Sequence, residues 1–290
     1  MALGALYVKA AVTSFGPRAH TLPDTELSRE AVVDRAHLAE YARVCGFTFG
    51  DALPATYPHL LAFPLQVQLM AGRSFPLPLP GLVHVANTIT VHRRIDAAEP
   101  LEIRVRAERF VAHPKGAQVD LVGAISAGGE PVWDGCSTYL ARGAHAPEPP
   151  RPSRPAPAAI AAGAPAATWR VDAGTGRRYA AVSGDVNPIH LHPWTAKAFG
   201  FPRAIAHGMW TAAHAMAALQ GRLPDGLTYE VAFGKPLLLP STVELRTRAV
   251  GGGCVDGCWD GGGWDGGGWD LDVSSRGRTH LTGAIRRSVG

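Results

Sequence analysis

The clearest signal along the chain is a two-residue alternation of apolar and polar positions. Segments 101–110 (LEIRVRAERF) and 118–127 (QVDLVGAISA) alternate in this way, as strands with one buried face do. Gly128 and Gly129 supply a turn before PVWDGCSTYLAR at 131–142, so a run of antiparallel strands is predicted. The period changes in AHGMWTAAHAMAALQG, 206–221. There Met209, Ala212, Ala213, Met216 and Gln220 fall at helical spacing, with Gly221 as a stop. A buried helix followed by several strands is the unit this pattern predicts, an α+β arrangement.

The unit is written twice. YARVCG at 41–46 recurs as YAAVSG at 179–184, and LEIRVRA at 101–107 recurs as VELRTRA at 243–249, in the same order and at nearly equal separations. Between the copies, residues 143–167 are rich in proline and alanine with little to bury, which predicts a linker. The expected division is a first domain over 1–142, the linker over 143–167 and a second domain over 168–290, together a pseudo-dimer in one chain that leaves room for homodimerisation. Residues 251–270 (GGGCVDGCWDGGGWDGGGWD) break the second copy where the first has a connection between strands. Glycine at that density predicts a flexible hairpin insertion with no function of its own.

Composition narrows the class. With 290 residues, 46% hydrophobic and 18% charged, the chain can build sizeable cores and is not disordered throughout. The net charge of +4 comes without basic runs or interleaved aromatics, which excludes a nucleic-acid surface but suits a phosphate-bearing small substrate or an acidic carrier protein. No segment reaches the roughly 18 apolar residues of a membrane span, and the first residues lack the pattern of a secretory leader. A cytoplasmic protein without a membrane span is expected. Cys45, Cys136, Cys254 and Cys258 show no paired CxxC spacing, so neither a disulfide framework nor a zinc site is indicated.

Candidate chemistry concentrates in SGDVNPIH, 183–190. Gly184 permits a tight turn, Asn187 and Pro188 have the form of an N-cap and first helical residue, and His190 then falls in the first turn of a short helix. Asp185 lies just ahead of the cap, so a carboxylate and an imidazole would share one small volume. The pair could grip a water and exchange its proton near neutral pH. The same residues would also serve if they only capped helix ends. Gly208 adds a second feature, since it opens the buried helix where backbone N–H groups lack intrahelical partners and the helix dipole is positive. A thioester oxygen docked there would be stabilised as charge develops on it; close helix packing would equally ask for glycine.

These residues carry a resemblance. YAAVSGDVNPIHLHPWTAKAFGFPRAIAHGMW, 179–210, resembles the hydratase 2 motif of MaoC-like proteins, the (R)-specific enoyl-CoA hydratases and (3R)-hydroxyacyl-thioester dehydratases. YPHLLAFPLQVQLM and GLVHVANTIT resemble the N-terminal domain of the two-domain bacterial members. The resemblance implies a double hot-dog fold, two tandem antiparallel sheets each wrapped around a central helix. It implies that Asp185 and His190 hold the water added to or removed from an enoyl double bond, that Asn187 supports their geometry, and that the Gly208 amide polarises the thioester carbonyl. Ser183 and Tyr179 also fit the motif. The implied activity is reversible dehydration of (3R)-3-hydroxyacyl thioesters on coenzyme A or acyl carrier protein, in fatty-acid metabolism. A hot-dog thioesterase and a non-catalytic acyl-binding module are the alternatives.

The first copy reads Gly46-Phe47 where the second reads Gly184-Asp185, and no histidine follows, so the first half is expected to have no such chemistry and to shape the acyl tunnel instead. Setting LAFPL, 61–65, against IAHGM, 205–209, puts Pro64 in the place of Gly208 and removes the N–H an oxyanion would need. His190, His192, His207 and His214 lack a ligand pattern of carboxylates and cysteines, and the resembled family needs no metal, so neither metal nor cofactor is expected. Arg177, Arg178, Lys197 and Arg203 flank the motif as candidate phosphate contacts or as plain surface charge.

Overall fold

The computed structural model of the chain describes residues 17–151, 155–160, 163–251 and 267–288. The alternating segments become β3 (Leu101–His113), β4 (Gly116–Ala127) and β5 (Glu130–Arg142), with β1 (Leu27–Ala31) beside β3 and β2 (Leu82–Val91) beside β5. The second copy supplies β6 (Ala167–Val171), β7 (Leu227–Phe233), β8 (Ser241–Val250), β9 (Gly268–Ser275) and β10 (Arg278–Arg287). All ten strands form one sheet in the order β1-β3-β4-β5-β2-β7-β10-β9-β8-β6, each half the mirror of the other about the β2/β7 junction. That junction is antiparallel, from Ala86 opposite Ala232 to Val91 opposite Leu227.

The first half carries α1 (Arg35–Cys45) and α2 (Tyr57–Met70); the second carries α3 (Thr175–Ser183), α4 (Pro188–Leu191), α5 (Pro193–Ala198) and α6 (Gly208–Ala217). α2 and α6 are the central helices, buried on nearly every side because a half-sheet curls around each. This is a double hot-dog fold. The single helix expected per copy is only the central one. α1 and α3 pack against each other across the halves, and α4 and α5 are short turns held by the Asn187 and His192 caps. α6 stops at Ala217, before Gly221, which closes the following turn with φ +85°.

The recurring YARVCG and YAAVSG are the last turns of α1 and α3. Each ends in a left-handed glycine, Gly46 (φ 85°) or Gly184 (φ 71°), whose N–H returns to the carbonyl of Ala42 or Ala180. Past the turn the copies diverge. Phe47 is buried and stacks on Tyr41, whereas the second half inserts α4 and α5 before its central helix. That insertion shifts the register, so the pairing of Pro64 with Gly208 does not hold. Pro64 lies inside α2, and the start of α2 instead carries Pro58.

The glycine-rich segment also needs correction at its end. Residues 252–266, with Cys254 and Cys258, lie outside the described residues, but Gly268, Trp269 and Asp270 belong to β9, where Gly268 pairs with Val250. Asp270 is an anchor of that strand, with ion pairs to Arg248 at 2.6 Å and Arg286 at 2.5 Å. The described part of the 143–167 segment is tied to the sheet: Glu148 accepts from the Ala112 N–H, Ala166 donates to Leu245, and Ala167 already opens β6. Cys45 and Cys136 are free, and burial pushes their thiols up, Cys136 to about 12. Among the described residues no helix is long and apolar enough to cross a membrane.

Side chains lock the halves together at the ends of α1 and α3. Trp210 and His214 of α6 donate to the carbonyls of Val44 and Cys45, at 3.0 and 2.8 Å. In the opposite direction, His37 Nε2 donates to the Val182 carbonyl at 2.7 Å while its Nδ1 accepts from the Tyr57 hydroxyl at 2.9 Å. These bonds satisfy orphan C-terminal carbonyls of the two helices. His37→Leu should therefore lower unfolding stability by about 1–3 kcal/mol in urea titrations, because it strands the Val182 carbonyl; a change within about 0.5 kcal/mol, the range of ordinary surface substitutions, would contradict the contact's importance.

Candidate active site

The turn at Gly184 delivers Asp185 to the joint between the halves. Asp185 is fixed locally: its N–H donates to Ser183 Oγ at 3.1 Å, and its Oδ1 accepts from the Asn187 N–H at 3.2 Å. Asn187 in turn caps α4, its side chain accepting from Ile189 N, with Pro188 as the first helical residue. The cap sets the direction of α4 and so the placement of His190, which is buried. His190 Nδ1 lies 2.9 Å from the Ile205 carbonyl. A carbonyl can only accept, so Nδ1 carries the proton and Nε2 of the neutral ring keeps its lone pair.

His207 occupies the position before the first turn of α6, without a side-chain cap bond, and stacks on His190, with ring centroids 3.7 Å apart and planes 26° from parallel. Its Nε2 donates to the Asp185 backbone carbonyl at 3.0 Å, leaving Nδ1 buried without a hydrogen-bond partner among the described residues. Tyr179 lies against His207 with its ring tilted by 53°, centroids 4.9 Å apart. One carboxylate oxygen of Asp185 and one ring nitrogen each of His190 and His207 lie within 4.8 Å of one another. That spacing suits a single bridging water, since two hydrogen bonds of about 2.8 Å meeting at an angle span roughly that distance. The same three atoms are also near enough to one another to serve as metal ligands, a carboxylate–histidine grouping that the spacing of the histidines in sequence does not reveal. His192 and His214 are engaged elsewhere, on the Trp194 N–H and the Cys45 carbonyl.

The cluster borders a cavity of about 330 Å³ whose walls come from both halves. Phe63, Met70, Leu79 and Leu82 of the first half give it an apolar lobe, while Asp185, His190 and Gly208 stand on the second-half wall. Gly208, at N1 of α6, admits no side chain: a Cβ would stand 2.9 Å from two Phe233 ring carbons. Of the candidate phosphate contacts, Arg178 pairs with Asp172, Arg177 and Arg203 donate to the Leu191 and Pro240 carbonyls, and Lys197 lies over Trp194. The cations that border the cavity are Arg142 and Lys235.

Three cavity residues escape the sequence motif, because they come from the other half. His59 of α2, His84 of β2 and Tyr139 of β5 form a second aromatic column on the same cavity, with His84 centred 6.2 Å from His59 and 4.7 Å from Tyr139. A lone histidine among the apolar residues that open YPHLLAFPLQVQLM is the available signal.

Burial governs the protonation of the site. It lowers the pKa of His59 to about 4, of His84 to about 3 and of His207 to about 3, against the opposing pull of the Asp185 carboxylate. His190 is lowered by the same desolvation, and Asp185 and the Ile205 carbonyl resist it. All four rings are therefore neutral at pH 7. In the unfolded chain they take up protons below about pH 6.5, so their contribution to stability is complete above that pH and is lost as the pH falls toward 4. Urea unfolding at pH 5 should show a loss on the order of 2 kcal/mol per deeply shifted histidine relative to pH 7; equal stability at the two pH values would mean these rings are not buried neutral.

Known proteins resemble this chain in sequence and in fold. Residues 159–259 match the MaoC like domain family. The chain is 39% identical over 275 residues to 3-hydroxyacyl-thioester dehydratase X of Mycobacterium tuberculosis, covering 93% of this chain and 92% of that protein. The crystal structure of HtdX from the same organism matches with a TM-score of 0.75 at 38% identity, over 91% of this chain and 100% of that one. A MaoC-like dehydratase from Phytophthora capsici, at 20% identity, shares the fold with a TM-score of 0.71 over 93% of this chain and 97% of its own. With identity sustained along nearly the full length of both sequences, this chain belongs to the MaoC-like dehydratase family, in the group that contains 3-hydroxyacyl-thioester dehydratase X.

Proposed function

We propose that the protein catalyses the reversible dehydration of (3R)-3-hydroxyacyl thioesters, carried on coenzyme A or acyl carrier protein, to trans-2-enoyl thioesters in the cytoplasm. The observation that carries this reading is the spacing of Asp185 and His190 on the wall of a largely apolar, acyl-sized cavity, close enough to share one water. The family membership and the name of the bacterial relative point the same way.

In the dehydration direction the C2–H and C3–O bonds break, the C2=C3 bond forms, and the C2 proton ends on the departing hydroxyl as water. Asp185 is the principal base, which takes the C2 proton and delivers it to the departing C3 oxygen, while His190, with Nδ1–H committed to Ile205, accepts a hydrogen bond from that hydroxyl at Nε2 and orients it. Because His190 is neutral, it accepts this hydrogen bond without a charged imidazole in the cavity. Asn187 is a positioning residue, holding Asp185 through its N–H and α4 through its side chain. The thioester oxygen docks on the Gly208 N–H, which at N1 has no intrahelical acceptor and sits at the positive end of the α6 dipole. Enolate-like charge on that oxygen during loss of the C2 proton is thereby stabilised.

The test is an assay of the purified protein on (3R)-3-hydroxyacyl-CoA substrates, following ultraviolet absorbance of the enoyl thioester and free thiol in parallel. Enoyl product without thiol is expected, and Asp185→Asn should lower kcat by roughly 10²- to 10⁴-fold while the protein stays folded. Thiol release would establish the thioesterase alternative, and unchanged turnover in Asp185→Asn would remove that residue from its role.

A further inference from the structure

His59 is unlike the other buried histidines of the cavity. His190 and His207 each donate to a backbone carbonyl, and His84 Nε2 is sealed from any partner among the described residues. His59 borders the cavity and is 4% exposed, yet it makes no hydrogen bond among the described residues, and its neighbours are the rings of Phe63 and His84. Its nitrogens are also absent from the sealed, unpartnered atoms, so they open to the cavity. The imidazole stands in the first turn of a helix whose buried side chains are apolar apart from Tyr57, Gln66 and His59 itself. Placed without a partner in such a wall it is destabilising, because a buried donor or acceptor loses its hydrogen bonds to water. Phe63 and Met70, one and three turns further along α2, border the same cavity and present only apolar surface to a chain.

His59 and Asp185 border the same cavity, and the ring beside His59, that of His84, packs on Phe233 with centroids 5.0 Å apart, while Phe233 itself lies against Gly208, so His59 stands toward the Gly208 end of that cavity. A saturated alkyl segment offers this ring nothing. The oxygen on C3 of the acyl chain, which the reading above brings to Asp185, is a hydrogen-bonding group at that end. We propose that His59, supplied by the half without the aspartate–histidine motif, contacts the substrate at this site by hydrogen-bonding the C3 oxygen from the first-half wall. The inference rests on the dehydratase reading. No proton changes hands at His59: the neutral ring donates or accepts one hydrogen bond, so it orients the oxygen without competing with Asp185 as base. The first half thereby becomes a chemical partner in the reaction as well as a wall.

The experiment compares His59→Phe and His59→Gln with the wild type in the full-length protein. It measures kcat/KM on a (3R)-3-hydroxyacyl-CoA, and the inhibition constant of the saturated acyl-CoA of equal length, which lacks the C3 oxygen. The expected result is a fall in kcat/KM of about 10- to 100-fold in His59→Phe, recovery of most of it in His59→Gln, and saturated-ligand affinity within about twofold of wild type in both. Turnover by His59→Phe within twofold of wild type would overturn the proposal while leaving the dehydratase reading intact. An equal loss of turnover and saturated-ligand affinity, or no recovery with glutamine, would assign His59 to cavity shape alone and also overturn it. A wild-type protein that forms no enoyl thioester would sink the dehydratase reading, and this inference with it.

Discussion

The pairing of β2 with β7 is the constraint on which the molecule depends. Either half-sheet alone would present a long row of unsatisfied backbone groups at that edge, and the six register pairs from Ala86/Ala232 to Val91/Leu227 close both edges at once. The same pairing brings the central helices into one frame and creates the cavity between them. Neither half lines the cavity alone. The second supplies Asp185, His190 and the Gly208 amide, and the first supplies Phe63, Met70 and the rings of His59 and His84. Duplication followed by divergence explains why the first half kept its turn at Gly46 while Phe47 filled the core.

Within that frame, backbone contacts define the chemistry. His190 and His207 each spend one nitrogen on a main-chain carbonyl, which fixes their tautomers and leaves His190 Nε2 as a lone pair. Desolvation keeps the surrounding imidazoles neutral, so the carboxylate of Asp185 meets hydrogen-bonding rings instead of permanent cations that would trap it in an ion pair. Cross-half bonds extend the control further. His37 holds the Val182 carbonyl, three residues before Asp185, and so ties the turn that carries Asp185 to the opposite half.

Much of this was legible before any coordinates. The strands announced themselves because one face of each is buried, and the repeated YARVCG and YAAVSG are the helix ends where glycine must turn left-handed. Asp185, Asn187 and His190 could be read because they are neighbours in sequence, joined by a cap whose rules are local. What escaped depends on distant parts of the chain. His59, His84 and Tyr139 reach the cavity only through the β2/β7 junction, and nothing local separates such a histidine from an ordinary core residue. The Pro64 alignment failed because α4 and α5 lengthen one copy only, and the end of the glycine-rich segment was misread because Asp270 owes its strand to Arg248 and Arg286, far away in sequence.

The account turns on where an acyl thioester lies, and a crystal structure of the Asp185→Asn variant with a (3R)-3-hydroxyacyl-CoA bound tests that most directly. The expected structure has the thioester oxygen within hydrogen-bond distance of the Gly208 amide, the C3 hydroxyl between residue 185 and His190, and the chain running on toward Phe63 and Met70. A chain bound outside this cavity, or one whose carbonyl turns away from Gly208, would contradict the account.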